Sequence, residues 1–161
     1  IKMSNLTFPE VFKVVQAHEP AIGSALLNTS DIVSCKNLKK LWAVLSMTYV
    51  DDVDLVVTWN ESTDVAGGTT SAITAVCPIW YNIDTATADL LTRATDAITF
   101  TIDTGLNKNQ LWIVEWDPAK FTAGYDCFQI RMSGAGASIV DVLYIGEPRY
   151  QSDVVGTAIT D

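Results

Sequence analysis

The last third of the chain contains three apolar segments of strand length, separated by residues that favour turns. The segments cover residues 111–116, 127–132 and 139–145. Asp-Pro, Ala-Gly and Gly-Ala-Gly sequences lie between them. Because short apolar runs between turn signals are typical of antiparallel strands, this region predicts a compact antiparallel sheet.

Five further segments of this kind lie upstream at regular intervals. They cover residues 32–35, 41–49, 55–59, 73–81 and 98–102. Regularly spaced strands with turns between them favour a sandwich over a parallel sheet. The sequence therefore predicts an all-β fold, an antiparallel β-sandwich that is jelly-roll-like and has about eight strands. Helical periodicity is scarce, and its best candidate, residues 87–94, predicts at most a short helical turn.

Side-chain alternation indicates which faces of two strands are buried. In residues 41–49 both alternate sets are largely apolar, which predicts a central strand that is covered on both sides or faces a partner chain. Residues 99–103 alternate cleanly. They predict a half-buried strand with Phe100 and Ile102 facing inward.

A length of 161 residues predicts one domain, which can bury a core without disulfides or metals. Residues 31–151 form the predicted β-sandwich domain. Residues 1–30 differ in pattern, and they predict either an N-terminal arm that packs on another subunit or a first strand with a long connection. Residues 152–161 predict a C-terminal tail.

The formal net charge of −9 argues against binding to naked nucleic acid, because contacts to phosphates require clustered Lys and Arg. No apolar run approaches the roughly 18 residues needed to span a bilayer, so the sequence predicts a soluble protein without a membrane partner. The three cysteines, Cys35, Cys77 and Cys127, cannot all pair within one chain. Each lies in or beside an apolar run, and they predict buried free thiols.

Three groups of residues bear on catalysis and metal binding. The single histidine, His18, has no Ser or Cys partner in a recognisable motif. A carboxylate cluster between two predicted strands could hold calcium, but it lacks the EF-hand pattern and predicts a charged hairpin end. The cluster consists of Asp51, Asp52 and Asp54. Likewise, the glycine-rich residues 63–70 and 133–137 predict flexible hairpin ends.

Glycoside hydrolysis would need two carboxylates that face one cleft. The candidates in the sequence are Glu115, Asp117 and Asp126, and the pattern does not bring two of them together. The sequence therefore predicts no enzymatic activity, no cofactor and no metal.

Tryptophan and tyrosine could instead supply a stacking platform for sugars. Trp80 and Tyr81 form the best local pair, because adjacent strand residues face opposite ways and one of the two is then exposed. Aromatic residues on strands more often serve as core or interface anchors. A carbohydrate-binding β-sandwich remains an alternative, which exposed and co-facing Trp side chains would favour.

Three sequence motifs resemble a known family. They are WIVEWD at residues 112–117, GYDCFQI at residues 124–130 and YIGEPRY at residues 144–150. Together they are similar to the C-terminal part of small head-associated structural proteins of tailed bacteriophages, which decorate or cement the capsid. The resemblance spans residues 32–151 as a pattern.

This resemblance implies a non-enzymatic virion protein that binds the major capsid protein on the outer capsid surface. It also implies a homo-oligomer, a trimer placed where capsid subunits meet, after assembly in the bacterial cytoplasm. Terminal segments can reach a neighbour and add to multivalent binding. The predicted contact residues therefore lie near the two ends of the chain: Phe8, Phe12, Arg149 and Tyr150. A second alternative is a low-copy tail or neck protein with the same fold.

Overall fold

The structure is a computed structural model that describes residues 7–22, 30–134 and 136–149. The prediction of an all-β antiparallel β-sandwich is confirmed. The strands of the described residues are β1 Lys13–Ile22, β2 Val33–Ser34, β3 Leu38–Thr48, β4 Leu55–Ser62, β5 Thr70–Ala72, β6 Ile79–Asn82, β7 Thr92–Arg93, β8 Thr99–Ile102, β9 Gln110–Trp116, β10 Cys127–Ser133 and β11 Ile139–Pro148. A single helical turn, α1 Phe8–Val11, precedes β1, and the 3-10 turns Thr104–Leu106 and Pro118–Lys120 flank β9.

The strands form two antiparallel sheets. The order is β1-β11-β3-β9-β6-β7 in the six-stranded sheet and β2-β10-β4-β5 in the five-stranded sheet, where β8 also pairs with β4. From β8 to β11 each strand lies in the sheet opposite to the strand before it. Connections that cross between two sheets in this way are typical of β-sandwiches.

The inner faces of the two sheets enclose one aromatic-rich core. Trp116 of the six-stranded sheet stacks on Phe128 of the five-stranded sheet with ring centroids 5.8 Å apart, and Phe128 meets the edge of Tyr144 at 5.9 Å. Phe100 stacks on Trp112 at 4.5 Å, and Ile102 is fully buried. The predicted inward orientation of Phe100 and Ile102 is therefore confirmed.

The hydroxyl of Tyr144 links the two sheets at one edge of the sandwich. It accepts a hydrogen bond from the backbone N–H of Ile130 on β10 at 2.8 Å and lies 3.3 Å from the carbonyl oxygen of Asp31. Burial raises the pKa of this phenol above its ordinary value. The side chain thereby satisfies a buried backbone donor that the β-ladder leaves unpaired.

Two predicted elements are wrong. Residues 73–81 do not form one strand, since this segment crosses from β5 in one sheet to β6 in the other and Pro78 has no N–H for a ladder hydrogen bond. The helical turn predicted over residues 87–94 does not form: a hydrogen-bonded turn ends at Ala88, residues 88–91 have no regular secondary structure, and β7 follows. The side-chain amide of Asn82 donates to the carbonyl of Ala88 at 2.5 Å, and this bond competes with helical continuation.

Cys35, Cys77 and Cys127 are all buried free thiols, as predicted. Burial raises the pKa of Cys77 and of Cys127 to about 12, and it raises the pKa of Cys35 further. Because the thiolate is the reactive form, these side chains behave as small apolar core residues.

Candidate functional site

The residues considered for catalysis have structural partners within the domain. Glu115 accepts from Lys40 Nζ at 2.6 Å and from the indole Nε1 of Trp42 at 3.0 Å. Asp117 caps the following 3-10 turn through the N–H of Ala119, and Asp126 pairs with Lys36 at 3.1 Å. His18 lies on the edge strand β1, where Nδ1 contacts the carbonyl of Glu19.

The three aspartates after β3 do not converge on one point. Asp51 accepts from the N–H of Ala137 at 2.5 Å, Asp52 accepts from the hydroxyl of Tyr49 at 2.7 Å, and Asp54 accepts from the N–H of Thr104 at 3.0 Å. Within the described ranges, no group of three or more His, Cys, Asp or Glu side chains could hold a metal ion. The predicted hairpin end is also wrong here, because β3 and β4 lie in different sheets and residues 49–54 connect the two.

The outer surface of the six-stranded sheet is unusually apolar. In the cross-strand register, one row of outward side chains runs from β1 across β11, β3 and β9 to β6. A second, shorter row runs beside it from β1 to β9. The apolar members of these rows are half-buried or exposed. We call this surface the outer apolar face, and it consists of Val14, Trp42, Val44, Trp80, Ile113, Leu143 and Ile145.

Two aromatic residues of the N-terminal segment lie on the outer apolar face. Phe12 meets the ring of Trp42 edge-on at 6.2 Å, and Phe8 packs on Phe12 at 5.1 Å while remaining 53% exposed. The predicted contact residues Phe8 and Phe12 thus stand together. Arg149 is at the opposite end of the described chain, where its Nε donates to the carbonyl of Leu38 at 2.9 Å. Tyr150 lies outside the described residues.

The outer apolar face contains two co-facing tryptophans, which is the arrangement that a sugar platform would need. Trp42 and Trp80 both point outward, whereas Tyr81 faces inward and stacks on Trp112 at 5.0 Å. However, the guanidinium of Arg93 lies 4.6 Å above the ring of Trp80, and the indole of Trp42 already donates to Glu115. The stacking surface of one ring and the polar group beside the other are therefore engaged within the domain, so this surface fits a protein better than a glycan.

A second apolar surface lies at one end of the sandwich. Four connections meet there: residues 49–54, 83–91, 103–109 and 134–138, of which the structure describes all but residue 135. We call this region the loop end. Seven aliphatic side chains are more than one third exposed at these connections or at the first residue of β11: Val50, Val53, Ile83, Leu90, Leu91, Leu106 and Ile139.

Hydrogen bonds fix the loops of the loop end to one another. Asn109 accepts from the N–H of Tyr49 at 3.0 Å through its side chain and from the N–H of Thr85 at 3.1 Å through its carbonyl. Asp84 pairs with Lys108, and the Ser138 hydroxyl accepts from the N–H of Val50 at 3.1 Å. The prediction of a flexible hairpin over residues 133–137 is therefore wrong, because this connection runs between sheets and is hydrogen-bonded to residues 49–54.

The carboxylates of the loop end should make the fold sensitive to acid. Hydrogen bonds from the backbone of Ala137 and the hydroxyl of Ser138 lower the pKa of Asp51, and the bond from Lys108 lowers the pKa of Asp84. A carboxyl whose pKa is lowered by folding stabilises the folded state above its unfolded pKa, and this contribution disappears as the pH falls through the folded pKa. We expect the unfolding temperature to be steady near neutral pH and to fall below about pH 4.

Thermal unfolding followed by circular dichroism across this pH range checks the expectation. Asp51→Asn cannot titrate, so its unfolding temperature should change less between pH 5 and pH 3 than that of the unmodified chain. An equal change in both proteins would contradict the role assigned to Asp51.

Comparison of the chain with protein-family models, with curated proteins and with solved structures gave no match in any of the three. In the part of the chain that the structure describes, none of the helices has the length and apolar character to cross a membrane.

Proposed function

We propose that this protein is a non-enzymatic structural protein of a bacteriophage virion, which binds the outer capsid surface through its loop end and stabilises the capsid. The observation that carries the proposal is a set of exposed aliphatic side chains on loops that hydrogen bonds hold in place. The sequence resemblance to phage head decoration proteins supplies the biological setting.

Physical chemistry favours protein binding at such a surface. Exposed apolar side chains that cluster on a soluble domain commonly mark an interaction site. Loops that are already fixed lose little conformational entropy on binding, so more of the interaction free energy contributes to affinity. The carboxylates of the loop end help to fix these loops, because they accept hydrogen bonds within the domain. Asp51 accepts from Ala137, Asp54 from Thr104 and Asp103 from Gly105.

Quantitative peptide counting on purified particles, with the major capsid protein as the reference, tests the proposal. A decoration protein should be present in hundreds of copies per particle. A dozen copies or fewer would place the chain in the tail or neck instead. Absence from the particles would contradict a virion role, and glycan screening would then test the carbohydrate-binding alternative.

A charge introduced at the loop end tests the binding surface itself. Leu90 is 76% exposed, so the variant Leu90→Glu should fold normally. In the complex with the capsid, however, the new carboxylate would be buried at the interface. We expect it to reduce binding to particles that lack the protein by about tenfold or more. Val76→Glu is the matched control, since Val76 is 47% exposed and lies near the opposite end of the sandwich. Equal binding of the two variants would argue against the loop end as the capsid contact.

A further inference from the structure

We infer that the outer apolar face is the docking surface for a second copy of this chain, so that two six-stranded sheets pack face to face. This inference concerns self-association and is independent of capsid binding, which we assign to the loop end. It rests on the composition of the face, on the state of its charges and on its area.

The centre of the outer apolar face has the composition of an interface core. Ile113 lies between Val44 and Trp80 in the cross-strand register, and Leu143 continues the same row on β11. Trp42 and Phe12 supply aromatic side chains beside this row. Interface cores are depleted of charged residues and enriched in aromatic ones, as is the case here.

Two carboxylates on this face are paired with lysines, although the chain as a whole carries a net charge of −9. Glu115 is paired with Lys40 at 2.6 Å, and Glu147 is paired with Lys39 at 3.0 Å. Asp141 accepts a hydrogen bond from the side-chain amide of Gln16 at 3.2 Å. Two acidic copies repel each other at most points of their surfaces. At this face, close approach brings few uncompensated charges together.

The area is also close to what a stable dimer needs. At the usual strand spacing and rise per residue, the whole outer surface of the six-stranded sheet covers about 700 Å², and the outer apolar face is its central part. Each partner in a standard interface buries about 800 Å². Phe8 and Phe12 of α1 add to this surface. The sheet surface around the outer apolar face is therefore large enough for one partner of the same kind.

Self-packing follows from the lack of an equivalent surface on the other sheet. Among the described residues, the outward side chains of β4, β8 and β10 in the five-stranded sheet are mainly polar. Thr58 on β4 lies opposite Arg131 on β10, and Thr99 and Thr101 lie on β8. An apolar sheet face is best matched by a copy of itself. A surface that packs on its own copy gives a closed pair with two-fold symmetry, so we expect a dimer, whereas the family resemblance implies a trimer.

Light scattering on the eluting peak in size-exclusion chromatography, repeated over a wide range of protein concentrations, tests this inference. The full chain should have the mass of a dimer. Ile113→Glu should raise the dimer dissociation constant about 100-fold or more, because it places two carboxylates at the centre of the interface. Thr101→Glu is the matched control: it adds the same charge at an exposed strand position on the other sheet, and it should remain dimeric.

Thermal unfolding of each variant separates loss of docking from loss of folding. If Ile113→Glu fails to fold, Val14→Glu replaces it, since Val14 is 43% exposed at the rim of the same face. A monomeric unmodified chain, a trimer, or a dimer that neither face variant weakens would overturn the inference. None of these outcomes depends on whether the protein binds a capsid.

Discussion

Replacing Gly134 by alanine should destabilise the protein by about 2–4 kcal/mol, because the new methyl group would meet a backbone atom in a strained conformation. Gly134 follows β10 with φ +151, and a Cβ at this position would lie 2.7 Å from the carbonyl oxygen of Asp54 and 2.9 Å from Leu55 Cδ2. The carbonyl belongs to the connection that enters β4 and cannot move without shifting that strand. Chemical denaturation of the purified variant measures the change in unfolding free energy.

Gly124→Ala separates the two contributions to this loss. Gly124 also has a positive φ, +92, but no atom lies within 4 Å of the position that a Cβ would occupy. Its substitution should cost only the strain of placing a non-glycine residue at positive φ, about 1–2 kcal/mol. If both alanine substitutions lowered the unfolding free energy by the same amount, the close approach of Gly134 to Asp54 would not contribute to the loss.

Removing the hydroxyl of Tyr144 should cost about 1–3 kcal/mol, although the change deletes a single atom. In Tyr144→Phe the N–H of Ile130 would lose its hydrogen-bond acceptor in a fully buried position. The aromatic ring would keep its contact with Phe128. The loss therefore measures the hydrogen bond between the two sheets, and denaturant-induced unfolding quantifies it.

The matched control is Tyr49→Phe. The hydroxyl of Tyr49 donates to Asp52 at 2.7 Å in an exposed position, where water can replace the lost partner. Its substitution should change the unfolding free energy by less than about 0.5 kcal/mol. A similar loss of unfolding free energy in both variants would show that burial does not determine how much the Tyr144 hydrogen bond stabilises the protein.

Most long strands could be predicted from sequence because their side-chain pattern is local. The alternation in residues 99–103 places Phe100 and Ile102 in the core, and the structure agrees. In β3 both alternate sets are apolar for two separate reasons: Leu41 and Leu45 face the core, while Trp42 and Val44 form part of the outer apolar face.

The connections between strands could not be predicted in the same way. A turn signal shows where the chain reverses, but it does not tell whether the next strand pairs with the previous one or enters the opposite sheet. The segment with Asp51, Asp52 and Asp54 and residues 133–137 were expected to form hairpin ends, yet both connections run between the sheets. Pro78 is the one local signal that could have divided the predicted strand over residues 73–81.

The candidate surfaces were only partly visible in the sequence. Phe8 and Phe12 were predicted as contacts, and the structure places both on the outer apolar face. The loop end was missed because its aliphatic residues come from four connections that are far apart in sequence. The one available signal was the pair Leu90 and Leu91 in a segment otherwise rich in Thr, Ala and Asp.

The position of β11 between β1 and β3 has a consequence for how the chain folds. Lys13 pairs with Gly146, so β1 has no partner in the described sheet until nearly the whole domain has been synthesised. At about 5–20 residues per second, a ribosome needs about 7–27 seconds to bridge that interval. Topologies with such distant pairings fold in milliseconds to seconds. During synthesis the apolar strand β3 therefore has no partner on one edge until β11 emerges, and an unpaired apolar edge of this kind favours aggregation of the nascent chain.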